Sequence, residues 1–147
     1  MVILVKTDTD AFLRDILSTV KTIAVVGASD KDTRPSYGVF AFLQAQGYHV
    51  VGVNPGLAGK RLHGAPVYKS LAAIPEPVDM VDIFRNSAAA GGIVDEALAL
   101  DPRPKVIWMQ LGVIDAAAAA RAWALGVNVI MDRCPKIEHQ RLAIRKA

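Results

Sequence analysis

Cysteine is almost absent from this sequence of 147 residues, since Cys134 is the only one. A single thiol excludes an internal disulfide framework and a zinc site made of clustered cysteines, and it is typical of a reducing compartment. No apolar run approaches the ~20 residues that a transmembrane helix needs. Segment 1–6 is too short for a signal peptide and is followed closely by Asp8 and Asp10. We therefore expect a cytoplasmic protein that does not enter a membrane.

The sequence also has little excess charge of either sign. The 17 Lys and Arg residues face 14 Asp and Glu residues, and the net charge of +3 is not gathered in any long run. This excess is too small for a protein dedicated to nucleic acid or to a membrane surface, but it favours a modest anionic ligand. Apolar residues make up 52% of the chain. We expect residues 1–147 to bury one core and to form a single domain.

Strand and helix patterns alternate along the chain. Segment 22–27 is a continuous apolar run that ends in glycine, which is typical of a strand covered on both faces. Similar runs predict four more strands, at 48–53, 79–84, 106–109 and 127–131. Helical spacing predicts helices at 8–20, 36–46, 87–100, 115–126 and 137–144. The pattern predicts an α/β protein with an open, doubly wound, Rossmann-like parallel sheet of about five strands.

Capping residues predict where these helices begin and end. Segment 7–10 offers several N-cap side chains for the first helix, which we expect to pack on the sheet. Ser36, Ser87 and Asp115 are the predicted N-caps of later helices. Gly47 and Gly126 are the predicted stops, because glycine readily adopts the left-handed conformation that ends a helix. Segment 54–66 is interpreted as a glycine-rich loop, followed by a short extended piece at 67–68.

The loop after the first strand is the first candidate for a ligand site. Ligands of open parallel sheets bind beyond the carboxyl ends of the strands. Gly27 permits a tight exit from the strand, and the helix predicted at Ser36 presents free N–H groups that favour an anion. Arg34 can add a forked contact to a phosphate. The alternative is an ordinary strand-to-helix loop, and we favour phosphate binding.

Two departures argue against an ordinary nicotinamide-dependent enzyme. A dinucleotide fingerprint needs the spacing G-x-G-x-x-G, whereas no glycine lies between Gly27 and Gly38. The acidic residue that usually binds ribose at the end of the second strand is replaced by Asn54. Both departures count against hydride transfer without excluding it.

Two further loops carry candidate contacts. Lys60 and Arg61 are adjacent cations that can hold a phosphate, although a solvated basic loop explains them equally well. Phe84, Arg85 and Asn86 follow the third predicted strand and reach the same crevice. A core phenylalanine beside an exposed arginine is the alternative interpretation of that segment.

The ordered set of loops resembles the CoA-binding domain of the succinyl-CoA synthetase alpha subunit. It is even more similar to the small stand-alone CoA-binding proteins of bacteria and archaea. The resemblance extends over residues 20–142, and its specificity lies in the whole set rather than in one segment. The matching segments are VGAS (26–29), RPSYG (34–38), VNP (53–55), VYKSL (67–71), DIFR (82–85), WMQLG (108–112) and MDRCPKIEH (131–139).

The resemblance implies that the domain holds CoA or acyl-CoA across the strand ends, with no metal. In the first loop, the implied contacts around the pyrophosphate are Gly27, Ala28, Ser29, Arg34, Pro35, Ser36, Tyr37 and Gly38. The implied contacts to the adenosine and its 3′-phosphate are Val53, Asn54, Pro55 and Lys60. The implied contacts in the rest of the crevice are Tyr68, Ser70, Phe84, Arg85 and Asn86.

The resemblance carries the binding function but not the synthetase reaction. Those enzymes also use a phosphorylated histidine in a second domain and a nucleotide-binding partner subunit. The histidines of this chain are His49, His63 and His139, and none lies in the Gly-His-Ala-Gly setting of the phosphorylated residue. We therefore expect a non-catalytic binding protein, acting as a homo-oligomer or with a partner subunit.

Two other classes of function stay open. Cys134 lies beside Arg133 and Lys136 near a predicted helix start, where a thiolate or a mixed disulfide with CoA is conceivable. A lone cysteine at a strand end is more often a small buried residue, and we expect no catalytic or metal-binding role for it. A regulatory protein that binds another adenine nucleotide is the remaining alternative.

Overall fold

The structure is a computed structural model that describes residues 9–144. Within that range, no helix is both long enough and apolar enough to cross a bilayer. The strands are β1 (Thr22–Val26), β2 (His49–Val53), β3 (Arg61–Leu62), β4 (Ala65–Tyr68), β5 (Met80–Ile83), β6 (Val106–Met109) and β7 (Asn128–Ile130). The α-helices are α1 (Asp10–Thr19), α2 (Pro35–Ala45), α3 (Ser87–Leu98), α4 (Ala116–Ala124) and α5 (Pro135–Arg141). Two 3-10 helices span Pro55–Leu57 and Leu71–Ala73.

The strands form one sheet in the order β3-β4-β2-β1-β5-β6-β7. Its pairs are parallel except for the antiparallel pair of β3 and β4. The chain leaves β1 towards β2 on one side, then returns to add β5, β6 and β7 on the other. The strand order therefore reverses between β1 and β5, and such a switch point opens a crevice at the carboxyl ends of the strands.

The sheet has seven strands where the sequence predicts about five. The two additional strands, β3 and β4, lie in the segment interpreted as a glycine-rich loop with a short extended end. They form a hairpin whose two-residue turn is His63-Gly64, with φ angles of 49° and 79°. Positive φ at both turn positions matches the twist of paired strands. Two-residue β3 is too short for any periodic signal, so the sequence pattern could not reveal it.

Helices cover both faces of the sheet, as predicted for a doubly wound fold. The first face packs large side chains of α1 and α2, including Leu17, Phe40 and Leu43, against Trp108 of β6. The second face is covered by α3 and α4 with small residues; its buried alanines are Ala90, Ala97, Ala118, Ala119 and Ala122. Small side chains let these two helices approach each other and the sheet closely.

An ion-pair network joins the first and last of these helices. The buried carboxylate of Glu138 on α5 accepts hydrogen bonds from Arg133 at 2.6 Å and from Arg141 at 2.7 Å. The same Arg141 also donates to Asp10 on α1, with an N–O distance of 2.9 Å. The network holds α1 and α5 together over the first face of the sheet.

Two of the predicted N-caps are wrong. Helix α2 begins at Pro35 with Arg34 as its N-cap residue, so Ser36 lies inside the helix. Proline suits the first helical position because its φ is fixed and its missing N–H is not needed there. Helix α3 is capped by Asn86, whose side chain accepts a hydrogen bond from the Ala89 N–H at 2.9 Å, and Ser87 is its first residue.

Other helix ends match the prediction or move slightly. Asp115 caps α4, while Gly47 and Gly126 adopt positive φ at the helix ends, as predicted. Helix α3 stops at Leu98 rather than at residue 100, and α5 spans Pro135–Arg141 rather than 137–144. Thr9 caps α1. The predicted start of that helix at residue 8 lies outside the described residues.

Candidate functional site

A cavity of about 800 Å³ lies at the carboxyl edge of the sheet, over the switch point between β1 and β5. Its walls come from the loops that follow β1, β2, β4, β5 and β6. Its volume falls within the roughly 300–1,000 Å³ that is usual for small-molecule sites. The predicted contact residues that line it are Gly27, Ala28, Ser29, Arg34, Pro35, Ser36, Val53, Asn54, Pro55, Ser70, Phe84, Arg85 and Asn86.

The other four predicted contacts do not line this cavity. Tyr37 packs its ring against His63, with ring centroids 4.4 Å apart, and Gly38 follows it along α2. Tyr68 packs against the core under the second face of the sheet. Lys60 is exposed beside the β3–β4 hairpin. The sequence places these residues in segments that surround the cavity, but it does not show in which direction each side chain points.

The amino terminus of α2 opens into the cavity without a side-chain cap. The N-cap residue Arg34 makes no capping hydrogen bond, and the first helical residue is Pro35. Ser36, in the first turn, is buried and also lines the cavity. Pro35 has no N–H and the Tyr37 N–H donates to the Arg34 carbonyl at 3.0 Å, which leaves the Ser36 N–H in the first turn. This N–H and the positive dipole end of the helix attract an anion. The arrangement suits a phosphate group.

Cationic side chains surround this helix start. Lys31, Arg34, Lys69 and Arg85 line the cavity and are exposed, and none of them forms an ion pair with any residue in 9–144. The acidic residues Asp30 and Glu96 also line the cavity, and the Glu96 carboxylate accepts a hydrogen bond from the Leu71 N–H at 2.8 Å. The excess of unpaired cations gives the cavity a positive character that favours a multiply charged anion.

Asn54 connects two loops of the cavity wall. Its side-chain N–H₂ donates to the carbonyl of Ala28 at 2.7 Å, and its side-chain oxygen accepts from the Gly56 N–H at 2.8 Å. An aspartate here would lose the donor that the Ala28 carbonyl requires. The residue that replaces the usual ribose-binding carboxylate is therefore a structural bridge between the loops after β1 and β2.

Sequence comparison settles the family to which this architecture belongs. The family model described as a CoA binding domain matches residues 21–140. This chain belongs to the CoA-binding domain family. The matched range begins just before β1 and ends within α5, so it contains every loop of the cavity. The resemblance to stand-alone CoA-binding proteins is confirmed.

Similar proteins come from bacteria and archaea. The chain is 36% identical over 129 residues to the uncharacterized protein YneT of Bacillus subtilis, covering 88% of this chain and 93% of that protein. A solved structure from Thermus thermophilus is 40% identical with a TM-score of 0.85, covering 91% of this chain and 98% of the other. A hypothetical protein from Pyrococcus horikoshii is 33% identical with the same TM-score, covering 92% of both chains. These three relatives consist of little more than this domain.

The loop after β6 is a wall of the cavity that the sequence analysis did not assign. Gln110 and Leu111 line the cavity, together with Val113 and with Ile93 of α3. Gln110 is the one polar residue that closes the apolar run 106–109, and a polar side chain at a strand end was the available signal. Strand β6 was predicted, but the residues at its end were named only among the segments that carry the family resemblance.

Hydrogen bonds hold that loop in place before any ligand arrives. The Gly112 N–H donates to the Asp132 carboxylate at 2.7 Å, and the Ile114 N–H donates to the Ser87 hydroxyl at 2.9 Å. Asp132 adopts a positive φ of 58° to make this contact, a conformation that aspartate tolerates better than most residues. The loop is therefore a preformed surface.

Asp82 on β5 is a buried carboxyl group outside the cavity lining. It is fully buried, and neither of its oxygens has a hydrogen-bond partner among the described residues. In register it lies between Val25 of β1 and Trp108 of β6. Burial raises the pKa of the Asp82 carboxyl well above its ordinary value. Burial inside the sheet therefore favours the neutral form of this carboxyl group.

The segment around Cys134 does not contribute to the cavity. Cys134 is buried at the start of α5 in the core of the first face, and it is absent from the cavity lining. His139 is also buried, with its ring edge-on to Phe42 and Tyr48. Burial lowers the pKa of His139. Within residues 9–144, no cluster of His, Cys, Asp or Glu is placed to hold a metal ion.

Proposed function

We propose that this protein binds CoA or acyl-CoA in the cavity at the switch point, and that it acts in the cytoplasm as a binding protein without a reaction of its own. Family membership supports CoA as the ligand class. The observation that best supports the proposal is that the uncapped start of α2 opens into a large cavity lined by unpaired cations. Three phosphate groups on one ligand match that electrostatic character.

In this proposal the pyrophosphate lies at the start of α2. The backbone N–H of Ser36 and the guanidinium of Arg34 provide donors there. Asn54 and Pro55 face the adenosine, and Phe84 with Asn86 lines the middle of the crevice. Residues 1–147 act as one domain, either as a homo-oligomer or with a partner subunit that supplies any chemistry.

Arg34→Ala is expected to weaken CoA binding by on the order of 1–3 kcal/mol, because charge-assisted hydrogen bonds to phosphate are lost. Isothermal titration of the purified protein measures the change. The matched control is Arg14→Ala, since Arg14 is an exposed arginine of α1 outside the cavity lining. Equal CoA affinity in wild type and Arg34→Ala would remove Arg34 from the site.

Parallel titrations with NAD, ADP and AMP test the choice of ligand. The proposal expects micromolar CoA binding that is clearly stronger than binding of NAD. Preference for ADP or AMP would favour an adenine-nucleotide regulator instead. Absence of CoA binding by folded protein would show that the ligand has changed within the family.

A further inference from the structure

Gln110 has a hydrogen-bonding group that the protein itself does not satisfy. The residue is only 6% exposed, yet it lines the cavity. Its side-chain oxygen is buried and has no hydrogen-bond partner among residues 9–144. A buried acceptor without a donor destabilises a fold, so the Gln110 amide gains a partner when it turns towards the cavity and meets the donor of a ligand there.

The surroundings of Gln110 differ from those of the helix start of α2. The lining residues of its own loop are the apolar Leu111 and Val113. Helix α3 contributes the apolar Ile93 and also Glu96, whose carboxylate is bonded to the Leu71 N–H. The uncapped start of α2 belongs to the loop after β1, and β5 separates β1 from β6. Adjacent strands lie about 4.8 Å apart, so the two regions are separated by roughly 10 Å. A ligand that fills both needs a charged end and an uncharged arm with an N–H donor.

We propose that Gln110 binds an amide of the pantetheine arm of CoA and thereby determines specificity for CoA over nucleotides that lack the arm. This inference rests on the proposed function, since it places the uncharged half of the same ligand. The arm contains secondary amides, each with one N–H donor and one carbonyl acceptor. A glutamine side chain presents the complementary acceptor and donors.

The backbone around Gln110 favours such selective recognition. The Gln110 N–H donates to the Ile83 carbonyl at 3.2 Å, and its own carbonyl accepts from the Val113 N–H at 2.9 Å. Together with the contacts of Asp132 and Ser87, these bonds fix the loop in the free protein. A loop that is already fixed loses little conformational freedom when a ligand binds to it.

The test compares two ligands and two proteins. CoA and adenosine 3′-phosphate 5′-diphosphate, which keeps every phosphate and lacks only the arm, are titrated into wild type and into Gln110→Met. Methionine keeps the size of the side chain and removes the amide. We expect CoA affinity to fall about tenfold while affinity for the arm-less nucleotide stays the same. We also expect an equal or higher melting temperature for the variant, because the unsatisfied buried oxygen is gone.

Each other outcome has a defined meaning. An unchanged preference for CoA in Gln110→Met, or an equal loss for both ligands, overturns the inference. Wild type that binds both ligands equally well also overturns it, while binding at the nucleotide end of the site stands. Wild type that binds neither ligand overturns the proposed function itself, and the inference with it. If Gln110→Met does not fold, Gln110→Asn withdraws the amide by one methylene, and the same selective loss is required.

Discussion

Replacing Gly27 by alanine is expected to lower the free energy of unfolding by about 3 kcal/mol. Gly27 leaves β1 with a φ of +88°, a region that costs an L-residue roughly 1–2 kcal/mol. An added Cβ would also lie 3.1 Å from the carbonyl oxygen of Phe84 and 3.3 Å from Cδ of Arg85. Overpacking of this kind costs roughly 1–3 kcal/mol more. Urea denaturation of both proteins measures the difference.

Gly59→Ala is the matched control for that experiment. Gly59 has a similar φ of +83°, but a Cβ there would meet no atom within 4 Å. Gly59→Ala should therefore lower the free energy of unfolding by about 1 kcal/mol, from backbone strain alone. Equal losses in the two variants would show that the close approach of the β1 and β5 loops at Gly27 contributes nothing. Displacement of Arg85 in Gly27→Ala is expected to weaken CoA binding as well.

Asp82→Val is expected to raise the free energy of unfolding at pH 8 by about 2 kcal/mol. The substitution removes a fully buried carboxyl group without a hydrogen-bond partner among the described residues, and such groups cost roughly 1–3 kcal/mol in proteins. Valine has a similar volume and suits a strand that is buried on both faces. Urea denaturation at a series of pH values is the measurement.

The pH dependence separates the charge of Asp82 from its polarity. A carboxyl group whose pKa is raised on folding contributes stability that is fully present below its unfolded pKa, and that is lost as pH rises through the folded value. Asp82→Asn keeps a polar group but cannot ionise. The stability of wild type should therefore fall relative to Asp82→Asn as pH rises above about 4. Parallel curves for the two proteins would contradict a raised pKa.

The sheet was predictable because its central strands are continuous apolar runs that end in glycine or polar residues. The two short strands β3 and β4 were not predicted, since their pairing depends on positive φ at His63 and Gly64. The N-caps predicted at Ser36 and Ser87 are instead Arg34, two residues earlier, and Asn86, one residue earlier. Pro35 suits the first helical position of α2, and Asn86 supplies the capping side chain of α3.

The location of the cavity was also predictable, because parallel strands deliver their following loops to one edge. The side chains that face the cavity were harder to predict. Tyr37 and Tyr68 lie in the right segments, but helix rotation and strand pleat turn them to other contacts. The converse holds for Gln110, which the pattern left unassigned and the fold places in the wall. Whether the lining residues bind CoA stays a prediction for titration.

The pairing of Asp10 with Arg141 has a consequence for the order of folding. These residues are 131 positions apart, so their contact forms only after nearly the whole described chain has been brought together. Closing so long a loop carries an entropic cost that docking of the two helices must offset. The first and last helices thus complete the same layer, and loss of either one leaves the same apolar face of the sheet open to water.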